Sequence, residues 1–300
     1  MDTLTEILRP DFLLRNALLA GLVVGVVCPW VGVYFVLRRI IFLGVALPQI
    51  SSAGIALAFL LHNLGWHFLP HDVAERWMAL VGSLSLTLLA ILGMALLERR
   101  PGNSEGRIGA AFIVAGALSI LFVAADPFGE AHLLALLKGD IVAINQDTLG
   151  LMLVVYGVLF LILTAFHREL LLVSYDPEIA ITLGRSVTFW QVVLFVVVGI
   201  NISFGVMTVG PMVVFGFLVL PPLAAYRVVR GVLPLCFVSS LLGVTSAFIG
   251  FYISYRYDLP LGPTDVVVAA LWLVVATFYH AGRRLMVSPR LRPLGDQGRA

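Results

Sequence analysis

Inside long apolar runs the sequence sets a few neutral polar residues. They are Gln49, Ser51 and Ser52 in LGVALPQISSAG (43–54), and Asn201, Ser203 and Thr208 in the run before Gly210. An amide or hydroxyl surrounded by hydrocarbon needs a partner on a neighbouring helix or a wet cavity. The chemistry such groups offer is hydrogen bonding and weak coordination through neutral oxygen. Gln49 and Asn201 stand out because an amide buries at greater cost than a hydroxyl. For both, pairing between helices and lining a solute path are equal alternatives. Pro48, Pro211, Pro221 and Pro222 release carbonyls from helical hydrogen bonding, which either touch a solute or shape the bundle.

A second group with ligand chemistry lies in HNLGWHFLPHD (62–72), where His62, His67 and His71 precede Asp72. Imidazoles with a carboxylate suit zinc. Their spacing of five and then four residues, with Pro70 between, does not define one helix face, so a solvated loop that holds histidines is the alternative. Glu130 and His132 join them only if the fold brings two loops together. Other chemistry is missing. There is no G-x-x-x-x-G-K-[ST] phosphate loop, so this chain does not hydrolyse ATP by that route. There is no H-E-x-x-H and no Ser, His and Asp set together within an apolar run, which speaks against an intramembrane enzyme. Nearly every Asp, Glu and His falls in a loop or at the end of a run, His280 included. The apolar runs therefore lack a proton relay, and the energy for any transport must come from elsewhere.

The elements that must position these residues are membrane helices. Of 300 residues, 60% are hydrophobic and 12% charged, against about 25% charged in soluble domains. Runs of about 20 apolar residues span hydrocarbon, and the sequence holds them at 12–37, 43–62, 77–97, 108–125, 148–166, 187–206, 209–225, 233–254 and 265–281. The fold class is all-α, a polytopic transmembrane bundle of eight or nine spans, the lower count applying if one run is re-entrant. Residues 1–300 read as one domain with a short basic tail at 283–300. Basic connections (Arg38–Arg39, 98–107, 167–185, Arg227–Arg230 and the tail) alternate with loops poor in arginine. Short Lys/Arg-rich loops stay in the cytoplasm, which places the N-terminus outside and the C-terminus inside. Cys28 and Cys236 sit in apolar runs and read as packing residues. No cleavable signal peptide is apparent. Gly21-x-x-x-Gly25 either admits a neighbouring helix closely or is a chance spacing.

The longest connection on the basic side is HRELLLVSYDPEIAITLGRS (167–186). Asp176-Pro177-Glu178 reads as a helix start, with proline in the first turn and acids at the positive end of the dipole. A helix of about two turns then ends at Gly184. It is either an ordinary interfacial helix or a docking element for a cytosolic partner.

Five segments carry a family resemblance: VLRRIIFLGVALPQISSAGIALAFLL (36–61), LLKGDIVAINQDTLGLML (136–153), LLLVSYDPEIAITLG (170–184), VGPMVVFGFLVLPPLAAY (209–226) and YDLPLGPTDVVVAAL (257–271). In order and spacing they resemble the membrane permease of ABC importers for zinc, manganese and iron, over about residues 10–280. The resemblance implies a homodimer of this permease in a bacterial inner (plasma) membrane, two cytosolic ATP-binding subunits and an extracytoplasmic solute-binding protein. Lipid surrounds it and nucleic acid has no part. It implies no cofactor on this chain, ATP being held by the partner subunit. Asp176, Pro177, Glu178 and Gly184 would belong to the helix that couples to the ATPase. The sequence departs from the family at one place. Members read approximately L-G-D-A-L-S-H-A in the second span, with Asp and His on one helix face. Here those positions are Val45 and Gln49. Import of a divalent metal is the expected function. A metal chelate or small polar solute is the alternative, and an ATP-independent channel the different-class one.

Overall fold

The computed structural model describes residues 12, 14–64, 75–98, 104–126 and 144–287. Among these residues there is no strand, and nine helices are long and apolar enough to cross a membrane. Hydrocarbon supplies no hydrogen-bond partners, so a spanning chain must satisfy its backbone within each segment, as helices do. In order they are α1 (Arg15–Leu37), α2 (Ile41–Asn63), α3 (Glu75–Glu98), α4 (Ser104–Ala125), α5 (Gln146–Ala165), the short α6 (His167–Tyr175) and α7 (Pro177–Thr182), then α8 (Val187–Val209), α9 (Pro211–Val228), α10 (Val232–Tyr257) and α11 (Leu261–Val287). The nine long helices fall on the nine expected runs. The last begins at Leu261, four residues earlier than its run suggested, because Pro263 is tolerated in the first turn.

Two groups of helices form the bundle. One joins α1, α9, α10 and α11; the other joins α2, α3 and α4; α8 and α9 bridge them. α1 is the innermost, burying Val24, Trp30, Val31, Val33 and Tyr34 almost completely. Backbone-to-backbone approach fixes the seams. A Cβ on Gly25 would stand 2.9 Å from the Gly243 carbonyl oxygen, and one on Gly243 would collide with that of Gly25. Small residues at a crossing let membrane helices gain close packing that lipid cannot replace. Of the spaced pair Gly21 and Gly25, the second makes this crossing. Gly54 and Gly82 make the equivalent seam between α2 and α3. α4 turns Ile113, Ile120 and Leu121 outward, which costs nothing against acyl chains.

Candidate functional site

α2 carries the polar stretch and remains helical through Pro48. Ser52 Oγ donates to the Pro48 carbonyl at 3.1 Å, so its hydroxyl is spent within its own helix. Ser51 is fully buried and shares a 2.5 Å hydrogen bond with Ser83 of α3. Gln49 points the other way. It is half-buried, and its Nε2 lies 3.5 Å from where a side chain on Gly116 of α4 would begin. Val45, one turn earlier on the same face, is half-buried as well. Gln49 thus lies along α4, while the two serines serve α3 and the helix itself.

α8 divides its polar residues in the same manner. Asn201 is fully buried, donates from Nδ2 to Cys28 Sγ at 3.5 Å, and accepts the Tyr156 hydroxyl on its backbone carbonyl at 3.2 Å. That knot ties α1, α5 and α8. Thr208 donates to the Phe204 carbonyl at 2.8 Å within its helix. Ser203 lies about half a turn around the helix from Asn201, and its buried Oγ has no hydrogen-bond partner. The same holds for Thr87 Oγ1 on α3, one turn from Ser83. Ser83 and Thr87 escaped the sequence reading, although an i, i+4 pair of hydroxyls on one helix face was there to be seen.

Asp265 corrects one expectation. The spans were read as free of ionisable groups, yet Asp265 lies inside α11 with 1% of its surface exposed. Its Oδ1 has no hydrogen-bond partner and rests against Gly250, where any Cβ would collide with it. Gly262-Pro263 was the signal that the helix starts early enough to enclose this acid.

At the outer end, Asn63 Nδ2 donates to Asp126 Oδ1 at 2.6 Å, clasping α2 to α4. His62 lines a largely apolar cavity of about 250 Å³ between α2 and α3, with Leu57, Leu61, Met78 and Leu86. Among the described residues no three His, Cys, Asp or Glu side chains gather closely enough to hold a metal ion. His67, His71, Asp72, Glu130 and His132 lie outside the described residues.

The 167–186 segment forms two helices where one was expected. α6 opens at His167 and buries Leu170 and Val173 against the bundle. α7 is closed at both ends by local chemistry. The Asp176 carboxylate accepts from the Glu178 and Ile179 amides at 3.1 and 3.0 Å, satisfying two of the orphan donors of a helix start. At the other end Gly184 takes φ +70°, its amide reaches the Ile181 carbonyl, and the Arg185 amide reaches that of Ala180. This paired closure with a left-handed residue favours glycine. Arg185 also lies 3.8 Å from Glu169 of α6. With Ala180 buried, α7 presents Ile179, Ile181 and Leu183 outward, about half or more of each exposed. At the base of α6, His167 Nδ1 stands 3.3 Å from the Tyr34 hydroxyl. Burial pushes the His167 imidazole below its ordinary value, which favours the neutral ring, and a neutral imidazole with its proton on Nε2 can accept from the Tyr34 hydroxyl at Nδ1.

Comparison with known proteins adds to this geometry. The model of the ABC 3 transport family matches residues 11–280. The chain is 26% identical over 277 residues to the manganese import system permease protein ScaB of Streptococcus gordonii, covering 91% of this chain and 93% of that protein. It is 26% identical over 279 residues to a probable iron transport system membrane protein of Haemophilus influenzae, covering 93% and 94%. Among solved structures, PsaBC from Streptococcus pneumoniae in complex with Fab superposes with a TM-score of 0.79 at 24% identity, over 95% of this chain and 97% of that one. An inward-facing conformation of a putative metal-chelate type ABC transporter superposes with a TM-score of 0.67 at 17% identity, over 88% and 85%. At these identities the two structures speak for the fold.

Proposed function

This chain belongs to the ABC 3 transport family, and we propose that within it the protein is the membrane subunit of an ATP-driven importer for a divalent transition metal ion. It is a multi-pass permease of the bacterial inner membrane. One observation carries the ATP-driven reading: α7, capped at both ends, turns Ile179, Ile181 and Leu183 outward from the end of the bundle where the basic connections gather. Short basic loops mark the cytoplasmic side. There, exposed isoleucines and leucine on a rigid short helix fit an apolar groove on a cytosolic partner better than they fit water. Asp176, Pro177, Glu178 and Gly184 hold that helix in shape. ATP binds and is hydrolysed on the partner, and this chain carries no cofactor of its own. Residues 1–300 form one permease domain, two copies of which assemble with two ATP-binding subunits and receive solute from an extracytoplasmic binding protein.

The metal reading rests on the relatives, which are a manganese import permease and a probable iron transport protein. Gln49, Ser51, Ser52, Asn201 and Ser203 are the residues offered for the path, with His62, in the last turn of α2 rather than in a loop, and His67 and His71 after it as the candidate metal group. Val45 and Gln49 favour a second reading. A valine and an amide offer a bare divalent ion no charge, and they suit a metal chelate or another small polar solute. Uptake by the full complex in proteoliposomes separates the two. Accumulation of manganese, iron or zinc ions with ATP supplies the first; accumulation of a chelate but no free ion supplies the second.

A further inference from the structure

The coupling segment must pass its movement to the spans, and a joint between them is built at the base of α6. His167 opens α6 immediately beyond α5, and α6 packs against α8, α1 and α5. Most of that packing is apolar, through Leu170 and Val173, and apolar attraction is non-directional. The His167 ring is different. Its Nδ1 faces the fully buried Tyr34 hydroxyl at 3.3 Å, and its face lies edge-on to Trp30, with centroids 6.3 Å apart. A hydrogen bond adds a preferred distance and angle that apolar attraction lacks. Tyr34 and Trp30 both belong to α1, and α1 touches α10 backbone to backbone through Gly25 and Gly243. A cytosolic pull on α6 therefore reaches α1 and α10 as one body.

We propose that Tyr34 and His167 are positioning residues for coupling, the joint through which movement of α6–α7 is delivered to α1. This rests on the reading of α7 as the ATPase dock, and the experiment keeps the two apart. In the full complex, Tyr34→Phe and His167→Phe each remove the hydrogen bond while keeping an aromatic ring. The expected result is normal copurification with the ATP-binding subunit, a melting temperature lowered by only a few degrees, as fits one lost hydrogen bond, and retained ATP hydrolysis, with uptake per ATP hydrolysed reduced about fivefold. His167→Gln keeps a group able to accept from Tyr34, so it restores most of the ratio. A ratio within twofold of wild type in both phenylalanine variants, or uptake and hydrolysis falling in proportion, overturns the joint. If His167→Phe fails to fold, Tyr34→Phe against His167→Gln decides by the same ratio. Loss of copurification in Ile181→Asp, measured beside them, reports on the dock alone.

Discussion

The elbow formed by α7 and its two caps, and the polar stretch of α2, are built on opposite plans. In the elbow nearly every constraint is local: Asp176 caps the amides of residues 178 and 179, and Gly184 closes the far end. In α2 the polar residues look outward to different neighbours, with Ser51 paired to α3, Ser52 to its own backbone and Gln49 lying along α4. A part that transmits force must hold its shape in every state of the cycle, so it draws on short-range hydrogen bonds. A part that faces solute takes its meaning from whatever stands opposite. The difference explains why the caps of α7 can be read from adjacent residues, while the setting of Val45 and Gln49 depends on helices distant in sequence.

Substitutions at the elbow carry the largest expected effects. Ile181→Asp places a charge in the surface offered to the ATPase, and copurification with the ATP-binding subunit should drop by at least tenfold, since burying an unpaired carboxylate costs several kcal/mol. Glu178→Arg, at the positive end of α7, should lower ATP-driven uptake strongly; wild-type assembly and uptake in this variant would refute the assignment of 167–186. In α2, Val45→Asp with Gln49→His recreates the acid and imidazole spacing of the family on one helix face. That double variant should raise uptake of free divalent metal relative to neutral solute by about tenfold, a step of about 1.4 kcal/mol. No change in selectivity would mean that the 45/49 face does not meet the substrate. Gly184→Ala should cost about 1 kcal/mol, seen as a lowered melting temperature, because alanine strains at φ +70°. The smallest effect belongs to Asn201→Leu. If its amide serves only Cys28, stability falls by about 0.6 kcal/mol and uptake is retained, whereas loss of uptake in a stable protein puts Asn201 on the path.

The contrast also sets how much was legible in the sequence. Nine apolar runs became nine helices within a few residues at each end, because the length needed to cross hydrocarbon leaves little choice. The start of α7 at Asp176-Pro177 and its end at Gly184 could be read for the same reason, since caps are written in adjacent residues. Long-range pairing could not be read. Nothing near Asn201 in the sequence names Cys28, 173 residues away, and nothing near Ser51 names Ser83. Asp265 reads as the end of a run because the stretch of hydropathy begins there, while Pro263 allows the helix to begin earlier and enclose it. α6 was missed as a helix because its apolar face, with Leu170 and Val173, is only nine residues long and lies among charges.

Site-directed crosslinking from α7 addresses the central claim most directly. Ile181 is 64% exposed, and Cys28 and Cys236 are buried, so Ile181→Cys presents one accessible thiol among the described residues. In membranes holding the full complex, a maleimide–benzophenone reagent attached at Ile181→Cys should, on irradiation, join it to the ATP-binding subunit, while Leu259→Cys, between α10 and α11 at the opposite end of the bundle, gives no such product. A crosslink from Leu259→Cys and none from Ile181→Cys would contradict the account, because the ATPase would then meet the other face of the protein.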